Sequence, residues 1–508
     1  MKLRQRWITI GLLILLIWLC SILVAIRYGN STHKPDDRVP VHWGINYMQP
    51  PLNLSLLRDR DISAKSKPGL KGLPKESTIY IVPRKHPNYT YVEVKNRSKF
   101  EALFRDFQSL NKVPKTLLEN DRLHLFENPS EHNEIFERFF KGINRYELYP
   151  YNDSDVIEPL MKYLGQAPIV SAKEKSGGTQ VKLFFTFEDQ STAIMKPWRV
   201  PREYETLPDH YYFADIERHT AEIAAFHLDR ILDFRRAPPV TGRILNMTFD
   251  IRRVSSRALN KTFFISPANN LCFMTDCSQY CGISRTPVCG NPDLIESSIG
   301  AYLPLMNGAK RKSFDHPFKR SYSKRSKAAW EDNPMYCKEV VMKQTVYSTG
   351  RRMLDIIDLA IFDFLMGNMD RHSYYVFKYF GNYSTIFNFD HGRGFGRYQT
   401  DELSCLVPLT QCCIIRKSTF QRLLILQKDE YKLGDVMRES LSTDIIAPVL
   451  YEAHYAALDR RLGIIINAVR KCTSDAKSID EVLKPEPLMP NVEEREEIFD
   501  DSSDQSNQ

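Results

Sequence analysis

The 508-residue chain lacks the marks of several protein classes. Its 70 basic side chains exceed its 62 acidic ones by eight, too thin an excess over this length to indicate a nucleic-acid-binding protein. With 22 Gly and 29 Pro it has neither a collagen composition nor a long Pro-rich linker, and no repeat recurs at a period of about 20–50 residues. Cys272, Cys277, Cys281 and Cys289 are separated by four, three and seven residues, so the paired C-x-x-C knuckles of common structural zinc sites are missing. What the chain does have is 43% hydrophobic and 11% aromatic residues, ample material for one large core or two modest ones.

The N-terminus holds an apolar run of 20 residues, Trp7 to Ile26, close to the length a helix needs to cross about 30 Å of hydrocarbon. Lys2, Arg4 and Arg6 precede it, which predicts a short cytosolic tail (1–6), a transmembrane signal anchor (7–26) and a luminal remainder. A cleaved signal peptide is the competing reading, and both deliver the chain to the secretory pathway. Eight sequons agree with that compartment: Asn30, Asn53, Asn88, Asn96, Asn152, Asn246, Asn260 and Asn382. So do ten cysteines, for which an oxidising lumen predicts disulfides.

Residues 27–150 read as a luminal stem and N-terminal segment, with a strand expected at Ser77 to Pro83 and an apolar-periodic stretch around Phe100 to Leu110. Val181–Thr186 and Ala193–Lys196 flank a turn at Glu188, Asp189 and Gln190, the pattern of a hairpin. Asp215 to Leu232 has helical periodicity with Asp215 as N-cap, placing Glu217 and Glu222 on that helix. Met353 to Met366 is nearly continuously apolar, a buried helix. The stretch from Asp480 onward carries ten acidic residues and is expected to be a solvated tail.

In order, the chain then offers a glycine turn (Gly177-Gly178), a strand ending in Lys196, glutamates on a helix, Asn368-Met369-Asp370-Arg371-His372 and Phe389-Asp390-His391-Gly392. Phosphoryl transfer requires this set: backbone amides and a lysine for the phosphates, a glutamate for lysine or metal, one aspartate for the acceptor proton and another for the metal. Each piece alone has an ordinary structural explanation: a turn, a solvated lysine, a surface glutamate, a salt-bridged helix end with a core histidine, an Asx turn. Their order is what carries the reading.

ERHTAEIAAFHLDRILDFRRAPPV from Glu217, ISPANNLCF from Ile265, LDIIDLAIFDFLMGNMDRH from Leu354, FDHGRGFG from Phe389 and DELSCLVPLTQCCIIRKST from Asp401 resemble the secretory-pathway kinase family of the Golgi casein kinase. The likeness runs from about residue 150 to 475. It implies an α+β, atypical two-lobed protein-kinase-like fold with a disulfide-stapled C-lobe, the N-lobe over 151–265, the C-lobe over 266–478 and a disordered acidic tail over 479–508. By the same resemblance Asp370 matches the catalytic aspartate, Asp390 the metal and nucleotide aspartate, Lys196 the phosphate lysine and Glu217 the metal glutamate. Gln180 and Ala301-Tyr302-Leu303-Pro304 match positions lining the nucleotide. The family's disulfides would be Cys272 with Cys289, Cys277 with Cys281, Cys337 with Cys412 and Cys413 with Cys472, leaving Cys405 unpaired. ATP and Mn²⁺, or Mg²⁺, are the implied cofactors.

Two positions depart from the pattern: Tyr375 stands where the casein-kinase members have Glu, and His391 replaces a small polar residue. The resemblance implies a Golgi-lumen Ser/Thr kinase, anchored or cleaved and secreted, acting on Ser-x-Glu motifs of secreted acidic proteins. It also leaves room for a homodimer or a pseudokinase partner. The cluster Lys310, Arg311, Lys312, Lys319, Arg320, Lys324, Arg325 and Lys327 offers a cationic subsite for the acidic residue, or a solvated face. A xylose kinase of the proteoglycan linker and a pseudokinase that activates a partner are the alternatives; the second is expected to carry Gln in place of Glu217.

Overall fold

Alternating side chains build the sheet that carries the lysine. In β2 (Leu183–Phe187), Leu183, Phe185 and Phe187 are buried while the intervening residues are half-buried, the period-two pattern of a strand with one face on a core. β3 (Thr192–Pro197) returns antiparallel to it, pairing Met195 with Leu183, as the hairpin pattern predicts. The computed structural model describes residues 97–108, 110, 134–149, 154–175, 180–207, 212, 215–276, 285–303 and 310–488. The anchor 7–26, the strand expected at Ser77–Pro83, the glycines Gly177-Gly178, Pro304, the Cys277–Cys281 pair and the sequons at Asn30, Asn53, Asn88, Asn96 and Asn152 lie outside these residues. Among the described residues no helix is long and apolar enough to cross a membrane.

The main sheet has five antiparallel strands in the order β1-β2-β3-β8-β4, with β1 at Ile169–Glu174, β4 at Val240–Asn246 and β8 at Leu294–Ala301. β8 thus enters between β3 and β4, and an N-lobe ending at 265 would omit it. That boundary is corrected to beyond Ala301, because the strand completing the sheet follows an inserted three-stranded sheet. The insert comprises β5 (Phe263–Ile265), β6 (Leu271–Asp276) and β7 (Arg285–Cys289), stapled by Cys272–Cys289.

Helices surround this sheet and form the second lobe. Before the sheet come α1 (Ser98–Gln108), α2 (Glu134–Gly142) and α3 (Ser154–Gln166); α1 is tied to the later part of the chain by Lys99 Nζ to Asp435 at 2.8 Å. α4 (His219–Ile231) packs under the sheet. α5 (Arg352–Met366) is buried along its whole length, as its apolar run predicts, and ends at Gly367 with φ +70°, a left-handed cap that glycine adopts without steric cost. β9 (Arg311–Asp315) pairs antiparallel with β10 (Ser373–Phe377) just after that cap.

α6 (Val407–Cys412), α7 (Lys417–Leu426), α8 (Leu433–Leu441) and α9 (Ala453–Asp475) complete the lobe. Cys337–Cys412 and Cys413–Cys472 staple it, and Cys405 is a free thiol, in agreement with the implied pairing. The first residues of the expected acidic tail are folded. Leu483 and Lys484 pair in parallel with Ile415 and Arg416, and Glu486 meets Arg416 Nε at 2.7 Å, an ion pair that folds the tail's first residues onto the lobe.

Candidate active site

A cavity of about 840 Å³ opens between the sheet and the helical lobe, lined on one side by Lys182, Lys196 and Ala301 and on the other by Asp370, Tyr375 and Asp390. Lys196 sits at the end of β3 on a buried position, opposite Ser298 of β8. Its ammonium lies 2.8 Å from Glu217 Oε2 and 2.6 Å from Glu222 Oε1, and it donates a very short hydrogen bond to Asp390 Oδ1. Burial alone would lower its pKa, but the carboxylates of Asp390, Glu217 and Glu222 outweigh that and raise it well above the usual lysine value.

Glu217 does not ride on the helix. α4 starts at His219, with Arg218 as N-cap, because the Asp215 carboxylate is taken up by Thr206 Oγ1 at 2.7 Å and Arg218 at 2.9 Å and so makes no cap. The extended step before the helix lets Glu217 and Glu222 converge on one point, which five residues within a helix would not do. One oxygen from each of Glu217, Glu222 and Asp390 lies within 4.8 Å of the others, a hard-oxygen donor set that fits Mg²⁺ or Mn²⁺. Burial and the neighbouring Asp390 charge raise Glu217 above the ordinary carboxylate range. The Asp390 side chain is half exposed, and Lys196 and Lys182 hold it far below that range against what desolvation it has.

Asp390 itself has φ +64°, and the chain beyond it turns back on Glu217. The Gly392 carbonyl accepts from Arg218 N at 2.7 Å. His391 is buried, and burial with the Arg371 guanidinium presses its pKa well down.

Asp370 follows the Gly367 cap. Its backbone N–H donates to Asn368 Oδ1 at 3.0 Å, its Oδ1 accepts from the Tyr322 hydroxyl at 2.8 Å, and its Oδ2 accepts a very short bond from Arg393. Burial raises its pKa against the opposing pull of Arg393 and Tyr322. Arg371 turns the other way, holding Asp363 through two bonds of 2.9 Å and the Phe389 carbonyl at 2.8 Å, which ties the two aspartate-bearing segments together.

Of the expected nucleotide residues, Ala301 and Tyr302 line the cavity; Leu303 is buried in the core, and Gln180, half-buried, is not among the described lining residues. Tyr375 lines it too, its ring 5.1 Å from that of Phe389, so an aromatic wall stands there. The basic cluster is divided: Arg311 lies over Tyr302 and Phe389 at 5.1 and 5.5 Å, Lys319 lines the cavity mouth and pairs with Asp315, and Lys327 pairs with Asp332. Arg393 and Tyr322, both bonded to Asp370, were not among the expected site residues. Arg393 stood in the quoted FDHGRGFG; Tyr322 gave no local signal, since its partner is 48 residues away.

Comparison with known proteins accords with this geometry. The family model described as Golgi casein kinase, C-terminal, Fam20 matches residues 134–481. The chain is similar to the extracellular serine/threonine protein kinase FAM20C of Homo sapiens, 56% identical over 337 residues that cover 66% of this chain and 57% of that one. It is also similar to the pseudokinase FAM20A of Homo sapiens, 45% identical, with 66% of this chain and 65% of that one covered. The match therefore spans less than two-thirds of the length of either relative. Among solved structures, the Golgi casein kinase with Mn/ADP bound superposes with a TM-score of 0.68 at 38% identity, covering 80% of this chain and 96% of that one. With a family model spanning most of the described residues, and a solved relative sharing its fold, this chain belongs to the Golgi casein kinase family, Fam20.

Proposed function

We propose that this chain is a secretory-pathway protein serine/threonine kinase that transfers the γ-phosphate of ATP to serine hydroxyls of secreted proteins, in Ser-x-Glu motifs. The observation that carries the proposal is the convergence, in one cavity, of the Lys196–Glu217–Glu222–Asp390 cluster with the doubly held Asp370. FAM20C is named a kinase and a solved relative binds Mn/ADP, which supports ATP with Mn²⁺, or Mg²⁺, as the reagents here. Glu217 and Asp390, with Glu222 beside them, would hold the divalent ion. Bound there, such an ion supplies charge neutralisation at the phosphate oxygens.

The protein's own groups do the rest. Lys196 binds phosphate oxygens with its ammonium, and Ala301 and Tyr302 line the nucleotide's side of the cavity. Asp370 orients the acceptor serine and takes its hydroxyl proton on a carboxylate oxygen as the oxygen attacks phosphorus in line. Arg393 favours the ionised form of that carboxylate against the burial that opposes it. Arg311 and Lys319 line the same cavity with positive charge, suited to the glutamate of the motif. Retention of Glu217, in contact with Lys196 at 2.8 Å, favours an active enzyme over a pseudokinase.

The anchor at 7–26, Golgi-lumen residence, and homodimeric or pseudokinase partnership complete the reading. Described residues consistent with a luminal location are the three disulfides and the exposed sequons at Asn260 and Asn382; Asn246 is half-buried, its side chain accepting from Phe249 N. The test is label transfer from ATP with Mn²⁺ to a Ser-x-Glu peptide, its Ser-x-Ala counterpart and a xylose-containing linker glycan, with Asp390→Ala as control. Label confined to the Ser-x-Glu peptide is expected. Label on the glycan instead would move the chain to sugar kinases, and none on any acceptor from folded protein would make it a pseudokinase.

A further inference from the structure

After β9, residues 316–327 form a strap of which Lys319 and Tyr322 line the cavity, and its bonds fall on consecutive parts of one short loop. His316 N–H donates to the His372 carbonyl at 2.8 Å. Arg320 Nε donates to the Met369 carbonyl at 3.1 Å, while its other nitrogen reaches Ser404 Oγ at 2.9 Å. The Tyr322 hydroxyl lies 2.8 Å from Asp370 Oδ1 and 3.1 Å from the Asp370 carbonyl, with His372 Nδ1 at 3.1 Å.

The strap is itself braced. Tyr322 N–H donates to the Tyr212 hydroxyl at 3.0 Å, the two rings meet edge to face at 5.3 Å, and Arg320 lies 5.5 Å over both Tyr212 and Trp330. Tyr322 has φ +55°, a left-handed conformation that a bulky residue adopts where its surroundings impose it and that clusters at functional sites. A tyrosine held that way, with its hydroxyl on the carboxylate proposed to take the acceptor's proton, has a geometry a plain surface loop does not need.

We propose that Tyr322 and Arg320 are positioning residues: the strap fixes the loop 369–372 so that Asp370 presents its carboxylate to the acceptor hydroxyl. The inference rests on the phosphotransfer reading above. Tyr322 orients one carboxylate oxygen while Arg393 holds the other, leaving each a lone pair for the acceptor. Arg320 fixes the backbone one residue earlier. Tyr322 lines the same cavity, but neither side chain bonds a member of the Lys196 cluster, so neither is assigned a nucleotide contact.

The test compares wild type, Tyr322→Phe, Arg320→Met and Arg320→Lys. For each, kcat toward a Ser-x-Glu peptide is expressed per Mn²⁺–ADP-binding site, and thermal midpoints are recorded alongside. Tyr322→Phe removes the hydroxyl alone and should lower kcat per site about 10-fold or more, with the KM for ATP and the Mn²⁺–ADP dissociation constant unchanged. Arg320→Met should do the same, and Arg320→Lys, which keeps a donor for the Met369 carbonyl, should recover part of the loss. Unchanged kcat per site in Tyr322→Phe and Arg320→Met overturns the proposal, as does a loss matched by the fall in binding sites, which would mark a purely structural role. A rise in kcat in Tyr322→Phe overturns it as well, because the hydroxyl would then be blocking the acceptor. If Tyr322→Phe does not fold, the Arg320 pair decides. Inert wild type fails the kinase reading itself, whereas active wild type with indifferent variants fails the strap alone.

Discussion

The α-carbon of Gly392 faces the side chain of Glu217 so closely that a Cβ at 392 would stand 2.8 Å from Glu217 Cβ and 3.0 Å from its Cγ. The obstacle is the root of the glutamate and not its flexible end, so relief requires moving Glu217 away from Lys196. Gly392→Ala should cost about 1–3 kcal/mol in stability and weaken Mn²⁺–ADP binding at least about tenfold. Calorimetric titration of the folded variant checks this, and unaltered binding would show that the glutamate's placement is not set by this contact.

The two aspartates should separate by function. Asp390→Asn suits the left-handed φ of +64°, since asparagine tolerates that region; it should therefore fold but lose nucleotide-dependent metal binding and turnover together. Asp370→Asn should keep metal and nucleotide binding and lose about 10²–10⁴ in kcat, the usual worth of a positioned base. Equal binding losses in both variants would contradict this division.

Turnover should have an acid limb above the ordinary aspartate range. Burial raises Asp370, and a base must be ionised to accept a proton, so rate falls as pH drops through that raised value. A kcat/KM profile for the peptide acceptor locates the limb, and activity holding flat down to pH ~4 would remove Asp370 from the role.

Stability should also decline with acid, through histidines remote from the Lys196 cluster. Burial, aided by Arg371 and Arg320, brings His316 down to about 3; burial with Arg461 and Arg218 does the same for His454. Each stays neutral when folded but takes a proton when unfolded below about 6.5. The unfolded state then binds more protons, and each histidine costs about 1.4 kcal/mol of stability per pH unit on acidification. Urea midpoints at pH 7 and 5 should differ in that direction; a higher midpoint at pH 5 would refute it.

Cys337 and Cys412 close a loop of sequence separation 75, for which chain entropy gives about 4 kcal/mol. The double variant Cys337→Ser/Cys412→Ser should lose most of that by denaturant titration. Cys405 should resist alkylation in the folded protein, because burial pushes its thiol up to about 11. Rapid labelling at pH 8 would contradict that protection.

Local pattern made some of this legible. The β2–β3 hairpin showed in alternation, α5 in its apolar run, and Lys196, Glu217, Asp370 and Asp390 in ordered motifs. Glu222 was visible on a helix, yet its approach to Glu217 depends on a helix start three residues later than Asp215 suggested, after that carboxylate was bound elsewhere. Tyr322 and the strap were hidden because their partners come from chain distance and not from periodicity. The place of β8 was hidden for the same reason: a strand's neighbours are not written in its own residues.

The order β1-β2-β3-β8-β4 has a consequence for the chain as it is made. When β3 leaves the ribosome its outer edge has no neighbour, and the strand that will occupy it ends at Ala301, roughly a hundred residues and, at about 5–20 residues per second, some 5–20 seconds later. Throughout that interval the edge bearing Lys196 is an open template for strand pairing. Meanwhile the Cys272–Cys289 insert can close locally and bring β4 and β8 into register before they slot in beside β3. The site's lysine is therefore seated late, by an act of threading that no earlier part of the nascent chain can perform.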